Sequence, residues 1–374
     1  MLEHAVLVFQ REWSVPQFPP LDSARTLLAI FAAPRFGCTP GPLTELLAAY
    51  PQATVIGCST AGEICGSTLL DESMVCLVAR FEQTRLRVVS APAGRAADSF
   101  RAGVELAQEL VAPDLRAVFV LSDGLVVNGS ELARGLASLL PPEVVVAGGM
   151  AGDGPRFQQT WVLVQRQPRS GVATAVGFYG EALAVGAGSQ AGWFSFGLER
   201  RVTRAQGNVL FELDGRPALA VYRDYLGAMA AGLPATALLF PLAIRRHWED
   251  PNHIIRTVLA IDEENQAMVF AGDIPEGALA QMMRAKTDAL IEAASVAAAG
   301  AALPGPGIAL AVSCVGRRLV LGERTDEELE ATCEALPPGT TQVGFYSYGE
   351  FASRRERGCD LQNETMTILT LAER

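Results

Sequence analysis

The chain has 374 residues, half of them hydrophobic, and a formal charge of −11. It is long enough for two domains, and its basic residues are nearly all Arg, with Lys286 the single Lys. Because no basic stripe with interleaved aromatics occurs, nucleic acid is not expected as a partner.

Met1–Trp13 carries Glu3, Arg11 and Glu12 and lacks a signal peptide's basic start. From there the elements repeat. An apolar run, Leu27–Phe31, precedes a helix-like segment, Pro42–Tyr50, and then Pro51, Gly57, Gly62 and Glu63. The same order returns as Ala117–Leu121, Ser130–Leu140, then Pro141, Ala147, Gly152 and Asp153. It returns again as Ile308–Val312, Asp326–Leu336, then Pro338, Gly344, Gly349 and Glu350. Internal periodicity of this kind defines the fold before any other signal. The runs are continuous rather than alternating, as in strands covered on both faces. A strand–helix–strand of this length joins parallel strands by a right-handed crossover. Asn128 with Glu131 and Thr325 with Glu328 match the spacing of capping boxes, and each Pro enforces a helix stop.

After each Gly–acid loop another strand is expected: Met74–Arg80, Thr160–Gln165 and Thr365–Leu371. Gly171–Tyr179 and Ala182–Gly186 read as strands about the Gly180–Glu181 turn. Trp193–Gly227 is turn-rich, with a helix over about Ala218–Leu226. Thr236–Ile244, Ile255–Ile261 and Ala267–Ala271 read as strands, and a long amphipathic helix is expected after the Asp273–Glu276 loop. No apolar run is long enough to cross a bilayer. The seven scattered cysteines, with no Cys-x-x-Cys, suit reduced thiols in a cytoplasm. These signals predict a two-domain α/β fold of repeated strand–helix–strand units, with mixed sheets covered by helices and domains at about 25–215 and 216–372.

Several motifs carry a resemblance. They are Val-Ile-Gly-Cys-Ser-Thr-Ala-Gly-Glu (55–63), Val-Ala-Gly-Gly-Met-Ala-Gly-Asp-Gly (146–154), Phe-Ala-Gly-Asp-Ile-Pro-Glu-Gly (270–277) and Gly-Phe-Tyr-Ser-Tyr-Gly-Glu (344–350). With Ser-Cys-Val-Gly-Arg-Arg (313–318) and Leu-Gln-Asn-Glu-Thr-Met-Thr (361–367), they resemble the FIST family, FIST N followed by FIST C, over about residues 25–372. The resemblance implies an intracellular sensory module for signal transduction, with an amino acid or similar metabolite as ligand. Because no kinase, cyclase or receptor domain is read in the chain, output is expected to pass to a separate protein. A histidine kinase, a cyclic-dinucleotide enzyme or a chemotaxis component would fit. Some members look like haem-based nitric oxide sensors. This chain has Gln362 where relatives often show His, so no haem is expected.

Ligands of α/β sheets collect outside the carboxyl ends of the strands, so the Gly–acid loops are the leading candidates. In the third copy Tyr346, Ser347, Tyr348 and Glu350 lie near Cys314, Arg317 and Asn363 in the unit. Arg for a carboxylate, Tyr for walls, and Asn or Glu for an amine suit a zwitterion. Cys58, Ser59, Thr60 and Glu63 form the corresponding first-copy set, with Asp153 in the second. For each recurring acid the alternative role is to accept backbone N–H bonds within the turn. The rival reading from another class is a small-molecule hydrolase using Cys58 or Cys314. A Cys nucleophile needs a base, and His4, His247 and His253 all fall outside the loops. The six-residue step between His247 and His253 is not a zinc spacing, so no metal site is expected.

Overall fold

The computed structural model describes residues 2–38, 41–233, 235–250, 253–354 and 358–373. The apolar runs form three parallel pairs: Thr26–Ala32 with Thr54–Ser59, Leu115–Ser122 with Val145–Met150, and Ile308–Cys314 with Thr341–Ser347. Helices Pro42–Ala49, Gly129–Ala137 and Thr325–Ala335 make the crossovers, and Pro51, Pro141 and Pro338 each follow one. The glycines of the repeat have a steric reason. A Cβ on Gly57 would sit 2.5 Å from the Ile30 carbonyl oxygen, and one on Gly344 would sit 1.7 Å from that of Ala311. In the second unit this close contact falls on Gly148, at φ 142°, 1.9 Å from the Val120 oxygen, one residue beyond the Ala147 that the spacing selects.

Each unit belongs to a six-stranded sheet, and the three sheets have one plan. The central pair is flanked on one side by an antiparallel strand: Met74–Arg80, Val172–Tyr179 or Met366–Glu373. Beyond it lies an edge strand: Glu3–Phe9, Arg85–Pro92 or Leu183–Gln190. On the other side sits a hairpin borrowed from another unit. The first unit's Glu63–Cys65 pairs with Thr341–Ser347 of the third. The third unit's Glu350–Arg354 pairs with Val145–Met150 of the second, and the second unit's Val162–Val164 pairs with Thr54–Ser59 of the first. The exchange closes in a cycle, so each Gly–acid loop crosses from its own sheet to a neighbour's.

A fourth sheet, built from strands between Trp193 and Ala285, interrupts the third unit. It docks through Thr257, which donates to Glu364 at 2.7 Å, and through Arg256, which donates to the Leu361 carbonyl at 3.1 Å. The turn-rich region is therefore an insertion, and its neighbours on both sides belong to one sheet. Three sequence expectations change. Leu279–Ala285 is a strand, because Trp193–Gln206 and Leu242–Arg245 pair with its two edges; the helix is Thr287–Ala301. Thr236–Ile244 divides into a 3-10 turn, Ala235–Leu239, and a strand, Leu242–Arg245. Asn128 caps its helix by accepting from the Glu131 N–H, whereas Thr325 bonds the Gly322 carbonyl and Glu328 turns to Arg317.

Candidate functional site

The three Gly–acid loops lock onto one another through backbone bonds. Ala61 N–H donates to the Tyr346 carbonyl and Tyr346 N–H to that of Gly62, both at 2.8 Å. Gly152 N–H reaches the Ser59 carbonyl at 3.0 Å, and Met150 N–H reaches that of Gly349 at 2.8 Å. Residues from all three units therefore meet at one hub.

Within it Glu63 and Glu350 are equivalent. Glu63 accepts from the Thr60 hydroxyl three residues back, then from the Ser73 N–H at 3.0 Å and hydroxyl at 2.6 Å. Glu350 accepts from the Ser347 hydroxyl at 2.5 Å, then from the Thr365 N–H at 3.1 Å and hydroxyl at 2.9 Å. Both acids tether a loop to the start of the next strand. Burial pushes each up to about 7, against the lowering effect of these hydrogen bonds. Asp153 has the matching position but other partners: the N–H groups of Phe157, Gln158 and Gln159, and the Tyr348 hydroxyl. In the second unit the strand tether is Asp123, which accepts from Gly171 N–H at 2.8 Å and Thr160 Oγ1 at 2.9 Å.

The third-copy candidates come together inside the protein. Arg317 is fully buried; its Nη2 donates to Glu328 at 2.6 Å and to the Leu290 carbonyl at 2.7 Å. Its Nη1 donates to the Ala191 carbonyl. Glu328 also accepts from Tyr346 at 2.7 Å and Ser313 at 2.9 Å. Tyr348 bonds Asp153 and the Gly154 carbonyl and stacks on Phe157. Asn363 donates to the Tyr348 carbonyl at 3.4 Å, and its Oδ1 is an unpartnered buried acceptor. Arg317, Tyr346, Ser347, Glu350 and Asn363 thus share a packed polar core rather than the open crevice expected of them. The cover comes from several elements: Leu290 of the helix Thr287–Ala301 and Glu328 close over Arg317, Asp153 and Phe157 hold Tyr348, and Thr257 of the inserted sheet reaches Glu364.

The corresponding place in the first copy is open. A cleft of about 280 Å³ is lined by Thr60, Glu63, Asp71, Glu72, Arg156 and Arg318. Arg318 forks onto Asp71 at 2.9 and 2.6 Å and also donates to the Ala61 carbonyl at 2.5 Å. Glu72, in the left-handed region at φ 51°, lies 3.1 Å from Arg35 and 3.6 Å from Arg156. The cleft therefore offers carboxylates and guanidinium groups at half-exposed, exchangeable contacts. Asp71, Glu72, Arg156 and Arg318 escaped the sequence reading. The signal was present: Glu72-Ser73-Met74 and Glu364-Thr365-Met366 repeat one acid–hydroxyl–Met step, and both acids have positive φ.

Cys58 and Cys314 are buried, and desolvation pushes both thiols well above their usual range. Of the histidines, His4 bonds Thr341 at 2.8 Å, His247 is exposed, and His253 lines a separate, larger cleft. Reaction of the native protein with a thiol reagent at neutral pH is thus expected to modify exposed Cys38 and spare Cys58 and Cys314 until unfolding. Rapid stoichiometric loss of either buried thiol, together with a turnover activity, would favour the hydrolase.

Among the described residues no group of His, Cys, Asp and Glu is arranged to hold a metal ion, and no helix is long and apolar enough to cross a membrane. Compared with known proteins, residues 26–216 match the FIST N domain and residues 218–353 match the FIST C domain. Two Mycobacterium tuberculosis proteins, each described only as uncharacterized, are 30% identical over 219 residues. The match covers 56% of this chain and 56% of theirs, so the chain spans about half the length of these curated relatives.

Proposed function

The chain belongs to the FIST family, and from that premise we propose a cytoplasmic sensory protein whose ligand is a small zwitterion, an amino acid or similar metabolite. FIST domains are associated with sensory and signal-transduction roles. The observation that carries the reading is the cleft lined by the pairs Asp71–Arg318 and Glu72–Arg156. A ligand carboxylate would take Arg156 from its loose 3.6 Å contact with Glu72, leaving the Glu72 oxygen that does not face Arg35 for the ammonium group. Thr60 and Glu63 shape the wall, and the interlocked loops tie cleft occupancy to all three sheets. Output passes to a separate signalling protein such as a histidine kinase, a cyclic-dinucleotide enzyme or a chemotaxis component. Neither nucleic acid nor membrane is part of the reading.

The test is calorimetry with a panel of amino acids. Arg156→Ala is expected to weaken the binding member by about 1.5–3 kcal/mol, the range for hydrogen bonds to charged groups, or roughly 10- to 100-fold. Undiminished binding by that variant would remove the cleft from consideration. Because Gln362 stands where relatives often carry His, protein expressed with haem supply is expected to show no Soret band. A band would make His247 and His253 the ligands to test by substitution, the latter lining the larger cleft with Gln362.

A further inference from the structure

The larger cleft, about 400 Å³, lies between the second and third sheets and under the inserted one. It shares no lining residue with the zwitterion cleft. Its chemistry is also different. Side chains of Ser189, Ser353, Thr365 and Thr367 supply hydroxyls, and Gln190 and Gln362 supply amides. Among the described residues lining it there is no Arg, Lys, Asp or Glu. A charged ligand would lose its hydration there and, His253 apart, find no counter-charge among them. Ala187, Ala191 and Ile255 add a small apolar surface of the kind that takes the C–H face of a ring.

The hydroxyls are also joined in a chain. Thr365 Oγ1 donates to the Glu350 carboxyl at 2.9 Å, lies 3.3 Å from Thr367 Oγ1, and that atom lies 2.8 Å from Ser189 Oγ. Each hydroxyl has one proton to give. With Thr365 committed to Glu350, Thr367 can donate to Thr365 and Ser189 to Thr367, or Thr367 can donate to Ser189 across the shorter contact. Either way Ser189 Oγ, on the cleft wall, keeps hydrogen-bonding capacity that a ligand hydroxyl can meet as donor or acceptor. We propose that this cleft is a second binding site, for a neutral polyhydroxylated molecule of monosaccharide to disaccharide size. Its walls come from the core sheets and from His253 and Ile255 of the insertion, so an occupant would bridge the two.

The experiment is calorimetry on the full chain with glucose, maltose, myo-inositol and adenosine as neutral probes, and with glucose 6-phosphate and glutamate as charged ones. At least one neutral probe is expected to bind with submillimolar Kd. Thr367→Val, which keeps the side-chain shape, and Ser189→Ala are each expected to weaken it at least tenfold. Arg156→Ala, in the other cleft, should leave it unchanged, which separates failure of this site from failure of the zwitterion site. Melting curves of the variants show that each remains folded. Absence of binding by every neutral probe at millimolar concentration overturns the proposal. So does tighter binding of glucose 6-phosphate than glucose, or binding indifferent to both substitutions.

Discussion

Arg317→Ala is expected to lower the unfolding free energy by about 3–5 kcal/mol, the range for removing one partner of a buried ion pair. The guanidinium and the Glu328 carboxylate are both fully buried, 2.6 Å apart. Truncation leaves Glu328 charged and desolvated, with only the Ser313 and Tyr346 hydroxyls for company. It also orphans the carbonyls of Ala191 and Leu290, which Arg317 satisfies at the far ends of its fork. Those contacts join the residue after the edge strand Leu183–Gln190, the helix Thr287–Ala301 and the helix Thr325–Ala335, so their loss loosens three segments at once. Urea denaturation at neutral pH measures the change through the midpoint at constant m. Replacing both partners, Arg317→Met with Glu328→Leu, should recover part of the loss because no buried charge remains. A loss below about 1 kcal/mol, the range of exposed pairs, would show that Arg317 meets water.

Arg317 also marks where the sequence stops being informative. The three units were legible because their signals are local and steric. Gly57 and Gly344 lie where strands approach too closely for a Cβ, and Pro51, Pro141 and Pro338 stop the helices. Which sheet a loop's next strand joins is not local. Glu63–Cys65 is a three-residue strand with no periodicity to read, and its partner lies 278 or more residues away in sequence. The insertion was visible only as turn-rich sequence, yet Thr257 reaches from it to Glu364 in the third copy of the loop. Leu290 and Glu328 cover Arg317, Glu328 takes Tyr346 and Asp153 takes Tyr348, so the residues that suggested a ligand crevice became core. The plainer loop at Thr60–Glu63 kept its cleft. Leu279–Ala285 illustrates the same limit: a run of Leu, Ala, Gln, Met and Arg favours helix, and two distant partner strands override it. Asp153 fits the spacing of Glu63 and Glu350, but Asp123 performs the tether in that unit, a substitution only the fold reveals.

The buried acids give the remaining prediction: stability should fall as pH rises from about 5.5 to about 8.5, with Glu364 responsible for much of the slope. Glu364 is fully buried beside Thr257, one of its oxygens has no hydrogen-bond partner, and its backbone is held at φ 62°. Desolvation pushes its carboxyl from 4.5 up to about 8, opposed by the Thr257 bond and reinforced by nearby Glu350. A folded-state value above the unfolded one means that the native protein holds the proton more tightly. The stabilisation is complete below the unfolded value of 4.5 and is lost as pH climbs through about 8. Glu63 and Glu350, each raised to about 7, add losses of the same sign slightly earlier. One buried acid shifted this far corresponds to on the order of 3 kcal/mol between the ends of the window. Glu364→Gln keeps the shape and the acceptor for Thr257 while removing the titration, so its stability should vary less with pH than wild type by that amount. The variant retains the chain's other acids, so general repulsion at high pH is common to both and cancels in the comparison. Urea midpoints across the window decide the matter: equal slopes for wild type and variant would mean that Glu364 is already ionised in the folded protein.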